Sequence, residues 1–116
     1  MKTDRELLEL AAISYSFELG EWDEKLGCWW DKDGMDTFNP LQDDGDALRL
    51  ACALGLRVFP VARTASGAAC SAIGDASGIR LAEVCDASLD ACSATRRAIT
   101  RAAAQIQLNK EQTNGK

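Results

Sequence analysis

The sequence predicts an α+β fold: an antiparallel sheet packed between helices, an α-β-α sandwich in the order helix-strands-helix-strands-helix. Three observations point there. Capping and stop residues bracket three stretches with apolar residues at helical spacing. Between them lie short strand-like runs separated by turn residues, and adjacent strands of that kind pair antiparallel. Finally, 116 residues that are 47% hydrophobic and 27% charged suit one globular core better than disorder or two domains. Residues 1–108 are expected to form that single domain. Residues 109–116, polar and without periodicity, read as a loose tail.

The elements follow in order. Thr3-Asp4-Arg5-Glu6 is a capping box, and Leu7, Leu10, Ala11 and Ser14 recur at helical spacing, which predicts a helix over 4–15. Short strands are expected at 16–19 and 27–30, with Glu21–Lys25 between them as a turn or loop. Asp31-Lys32-Asp33-Gly34 is turn chemistry. Proline at 40 pushes Asn39 out of helical backbone and opens a new element. Asp43 or Asp44 then caps a second helix that Gly55 stops. Its tight face is expected at Leu48, Ala51, Cys52 and Gly55, widened by Leu50 and Leu54.

Residues 56–64 read as a strand, and Pro60 inside it argues for an edge position or for a strand that ends near there. A small-residue turn over 64–68 leads to strands at 69–73 and 79–84, joined by a hairpin loop at 74–78. The last helix, over 90–107, takes Ser88 or Asp90 as its cap. Ala91, Ala94, Thr95, Ala98, Ala102 and Ile106 form its buried stripe, and Arg96, Arg97 and Arg101 take the other side.

Composition excludes several chemistries. With no histidine, Ser-His-Asp triads, Cys-His dyads and His-ligated metal sites are ruled out. No P-loop or G-x-G-x-x-G is present, and nothing pairs a nucleophile with a base, so a non-enzymatic role without cofactor or metal is expected. The five cysteines contain no C-x-x-C, and an odd number without an export signal argues against a disulfide framework. Cys52 and Cys92 read as small apolar fillers among alanines. No apolar run approaches the roughly 20 residues of a membrane span, and the opening MKTDRELLEL lacks a signal-peptide core. A cytoplasmic protein is the expectation.

Charge is uneven along the chain. Residues 1–55 carry 13 acids against 5 bases, net −8, and residues 56–116 carry 5 acids against 8 bases, net +3. The acidic half repels phosphate backbones, so free nucleic acid is a poor partner. Either that half faces a basic protein surface or it is a solvated face.

Four groups of residues are candidates for function. Asp43, Asp44 and Asp46 are the densest acidic cluster, suited to a cation or a partner arginine, or else to capping alone. Asp31-Lys32-Asp33-Gly34 looks superficially like a calcium loop, but its glycine and its missing glutamate break the EF-hand pattern. Arg96, Arg97 and Arg101 suit phosphate or carboxylate, or pairing with acids of the first helix. Trp22, Trp29 and Trp30 sit among acids, and neighbours on a strand face opposite ways. One of Trp29 and Trp30 is then an exposed binding anchor, unless helices cover both faces.

Three blocks also resemble a known family. They are Thr3-Asp4-Arg5-Glu6-Leu7-Leu8-Glu9-Leu10-Ala11-Ala12, the stretch from Phe38-Asn39-Pro40-Leu41 through Asp43-Asp44-Gly45-Asp46 to Ala51, and Ala94-Thr95-Arg96-Arg97-Ala98-Ile99-Thr100-Arg101-Ala102-Ala103-Ala104. In that order they are similar to the phage α-β-α sandwich domain family. Phe38 stands where the family commonly has tryptophan, and residues 65–88 match least. The resemblance implies a sheet between helices and a phage or prophage origin; the family carries no assigned activity.

Small accessory phage proteins often antagonise host defence. The leading expectation is therefore an anti-CRISPR-like inhibitor that binds a bacterial host protein or nucleoprotein effector through Trp22, Trp29, Trp30, Asp43, Asp44 and Asp46. The alternatives are an oligomer capturing a nucleotide signal at Arg96, Arg97 or Arg101, and a structural or regulatory phage component.

Overall fold

Helix α1 spans Asp4–Ser14 in a computed structural model that describes residues 3–60, 68–74, 79–85 and 91–114. The capping box closes as the residue types require: Glu6 N donates to Thr3 Oγ1 at 3.2 Å and Thr3 N donates to Glu6 Oε1 at 3.3 Å. The helix stops without glycine. Ser16 takes φ 63°, and Ser16 N and Phe17 N turn back to Ile13 O and Ala12 O. This is a Schellman stop with serine in the left-handed position. Residues 16–19, expected as a strand, are thus mostly helix stop, because the marker that sequence reasoning looks for there is a glycine.

The first sheet consists of β1 (Leu19–Asp23), β2 (Cys28–Asp31) and β3 (Thr37–Phe38), antiparallel in that order. Glu21, Trp22 and Asp23, expected in a turn, lie in β1, and the turn is 24–27. Pairing of Trp22 with Trp29 outweighs the local charge that suggested a loop. The register breaks between Leu19 and Trp22, where a Cβ on Gly20 would stand 2.2 Å from Asp31 O. Only glycine allows that approach.

Asp43 caps helix α2 (Asp44–Leu54) through a 2.7 Å bond from Asp46 N, and Gly55 ends it at φ 64°. Strand β4 (Leu56–Pro60) pairs with β5 (Ala68–Gly74), which pairs with β6 (Ile79–Cys85), all antiparallel. Among the described strands β4 lies at the edge of its sheet, the position Pro60 suggests, and residues 61–64 of the expected strand lie outside the described residues. The turn at 64–67, the loop core at 75–78 and the caps Ser88 and Asp90 lie outside the described residues.

Helix α3 runs from Ala91 to Asn114. Residues 109–114, expected as a loose tail, continue it. Gln105 to Asn109 and Gln107 to Glu111 side-chain bonds, four residues apart, support this polar end without an apolar stripe.

The result is an α+β fold with three helices. Its described strands form two three-stranded sheets where one was expected. Strand patterns fix neighbours within a run but do not join separate runs, and α2 intervenes between β3 and β4. Helix α3 packs on α1, α2 and all three strands of the second sheet. Its alanines at 94, 98, 102, 103 and 104 are all buried and let backbones approach from several sides. Leu8, Trp29, Phe38, Leu50 and Ile99 meet in the core. On α1 the buried face is Leu7, Leu8, Ala11, Ala12 and Ser14, with Leu10 half-buried. On α2 it is Ala47, Leu50 and Ala51, whereas Leu48 and Cys52, expected on the tight face, are exposed.

Candidate functional site

The three tryptophans divide as strand alternation requires. Trp29 is buried, and its indole N–H donates to Arg5 O at 3.3 Å. Trp22 meets it edge-on at 5.5 Å between centroids, and the Arg5 guanidinium lies 5.3 Å from both ring centres. These two rings build the fold. Trp30 faces the other way, half-buried, and its N–H donates to Asp23 Oδ2 at 3.0 Å. Trp22 is half-buried as well but packs against the core cluster, which Trp30 does not join.

Asp23 organises that side. Its other carboxylate oxygen accepts from Lys25 N and Leu26 N, both at 2.9 Å, and so closes the turn after β1. The Trp30 indole N–H, then the backbone N–H groups, hold its carboxyl below the ordinary carboxylate range. A depressed folded-state pKa stabilises above the unfolded value and is lost as pH falls through the folded one. Acid titration should therefore show a Trp fluorescence change below about pH 4 that Asp23→Asn lacks. An identical acid profile for the two proteins would exclude this coupling.

Around Trp30 lies a shallow hollow of about 380 Å³, bordered by Gly20, Glu21, Asp31, Lys32 and Asp33. Glu21 and Asp33 are exposed. Lys32 is ion-paired with Glu18, and Asp31 Oδ1 accepts from Met35 N at 2.8 Å. The Asp31–Gly34 segment makes a turn, with Gly34 N donating to Asp31 O at 3.0 Å. Among the described residues no cluster of acids and cysteines is arranged to hold a metal ion.

The acidic cluster at the start of α2 is engaged within the chain. Asp43 caps the helix, and Asp44 takes Arg96 Nη1 at 2.6 Å. Asp46 accepts from Asn39 N at 2.8 Å and from Arg49 Nη2 at 2.5 Å. The arginines are engaged too: Arg97 Nη1 stands 3.2 Å from Asp4 Oδ1, the pairing with the first helix weighed from the sequence. Arg96 pairs with α2 instead. Arg101 also makes contacts within the chain. Asp43, Asp44 and Asp46 are thus engaged at the start of helix α2, and none of them borders the hollow around Trp30 described above.

Glu21 is the neighbour of Trp30 that no local pattern in the sequence marks. Asp31 and Asp33 follow Trp30 directly in the chain, and the register of β1 against β2 is what adds Glu21 to them.

The cysteines also differ from expectation. Cys28 is buried, and burial, then the charges of Asp23 and Asp46, push its thiol pKa up. Cys52 and Cys92, expected as fillers, are exposed free thiols. No described helix is long and apolar enough to cross a membrane.

Comparison with known proteins adds no relative. The chain matches no family model, no curated protein and no solved structure.

Proposed function

We propose that this protein acts by binding, and that the acidic hollow around Trp30 docks a basic surface on a bacterial host protein or nucleoprotein effector. The observation that carries the reading is the hollow itself: an aromatic ring bordered by Glu21, Asp31 and Asp33. A guanidinium or ammonium group stacks on such a ring while the carboxylates accept its N–H donors. The net charge of −8 over residues 1–55 adds long-range attraction for a basic partner. The resemblance of three sequence blocks to a phage family supports antagonism of a host defence system as the setting, with the acidic face standing in for phosphate charge.

Asp43, Asp44 and Asp46 take a supporting part in this reading, since their carboxylates cap and tie helix α2. Pull-down from a bacterial lysate with the tagged protein, followed by native mass spectrometry, tests the proposal. A stoichiometric basic partner should be retained at low salt. It should be lost with the double variant Glu21→Lys/Asp33→Lys, roughly thirtyfold or more for each buried charge pair broken. Retention by the folded double variant would refute docking at the hollow.

A further inference from the structure

In the hollow, Trp30 is a ring held in place. Its indole N–H is taken by Asp23 Oδ2 at 3.0 Å, and the other Asp23 oxygen is tied to the turn after β1. An indole has that one donor and no acceptor, so what remains for a ligand is the π-face and the apolar rim. Gly20 and Gly34 border the hollow without side chains, and at Gly20 the close approach of Asp31 O forbids one. Polar and apolar atoms both reach the surface there.

The charged groups at the border are not equally free. Lys32 is ion-paired with Glu18, and Asp31 Oδ1 accepts from Met35 N. Glu21, on β1, and Asp33, in the turn after β2, are both exposed. Among the described residues neither of their carboxylates makes a hydrogen bond or an ion pair. A guanidinium suits this combination. It is planar, stacks on aromatic faces, is more weakly hydrated than an ammonium, and carries five donors that can serve two carboxylates at once. An ammonium is a compact, strongly hydrated point charge, and it gives up hydration against a ring that offers no acceptor in return.

We propose that the hollow selects an arginine side chain over a lysine, with the guanidinium against the Trp30 ring and its donors on Glu21 and Asp33. The inference rests on the docking reading above and deepens it: the basic surface that docks presents an arginine at this point.

The probes are two capped tripeptides of equal charge, acetyl-Gly-Arg-Gly-amide and acetyl-Gly-Lys-Gly-amide, titrated into the isotope-labelled protein at low ionic strength. The indole N–H resonance of Trp30, assigned by its loss in Trp30→Leu, reports binding in nitrogen–proton correlation spectra. The arginine peptide should bind roughly three- to tenfold tighter than the lysine peptide, the scale of one stacked cation. In Trp30→Leu, followed through the Lys32 backbone N–H, the two peptides should bind equally, since charge attraction alone remains. Because that change also removes the bond to Asp23, Glu21→Gln/Asp33→Asn is the second variant, at two exposed positions. It should weaken both peptides while circular dichroism stays native. Equal affinities in the unaltered protein, an arginine preference that survives in folded Trp30→Leu, or undiminished binding by folded Glu21→Gln/Asp33→Asn would each overturn the selection of arginine. So would the absence of any shift with either peptide. The pull-down with Glu21→Lys/Asp33→Lys judges the docking reading separately, so the two can fail independently.

Discussion

Trp29→Ala should lower the unfolding free energy by about 3–5 kcal/mol, the cost of truncating a buried aromatic. The site gives reasons to expect the upper part of that range. Trp29 is 9% exposed and sits in the cluster of Leu8, Phe38, Leu50 and Ile99, so its removal opens the junction of α1, α2, α3 and the first sheet. The edge-on contact with Trp22 goes with it, as does half of the aromatic seat of Arg5. The carbonyl of Arg5 also loses its indole donor. Domains of this size have about 5–15 kcal/mol in all, so the variant should be close to unfolding at 37 °C. Urea denaturation followed by circular dichroism measures the effect. A loss under about 1 kcal/mol would mean that Trp29 is not a core residue.

Leu50→Ala should cost about 2–5 kcal/mol, while Leu48→Ala, two residues away, should stay within about 0.5 kcal/mol. Leu50 is fully buried between α2 and the core, and deleting its side chain leaves a cavity that packed neighbours fill only in part. Leu48 faces outward on the same helix. The pair tests the rotation of α2 about its axis, because a helix turned toward the face expected from sequence would reverse the ranking. Paired urea curves with equal slopes would give the comparison directly.

The fold was legible where local chemistry is self-sufficient. The Thr3–Glu6 capping box, the Asp43 cap and the Gly55 stop each satisfy backbone groups within a few residues, and all three stand in the structure as the residue types imply. The α1 stop was not legible, since Ser16 occupies a left-handed position that glycine usually marks. The polarity of residues 109–116 mimics a tail, whereas polar pairs four residues apart carry helix α3 on to Asn114.

The candidate site was legible only in its residue types. An acid-rich, tryptophan-rich half is visible as composition, and opposite facing of Trp29 and Trp30 follows from strand alternation. Asp31 and Asp33 lie beside Trp30 in the chain, whereas Glu21 joins them only through the pairing of β1 with β2. Asp43, Asp44 and Asp46 form the densest cluster along the chain, yet capping and the reach of Arg96 and Arg49 occupy them.

Residue order alone settled the starts of α1 and α2, the lack of histidine and the lopsided charge, because each depends on contacts a few residues long or on counting. Tertiary packing decided which face of α2 is buried, how the described strands divide between two sheets and where the hollow around Trp30 lies. Those outcomes depend on contacts between residues far apart in the chain, such as Arg96 with Leu41 and Trp29 with Arg5. Closing such contacts is favoured or penalised by the whole packed arrangement, which no short window of sequence encodes.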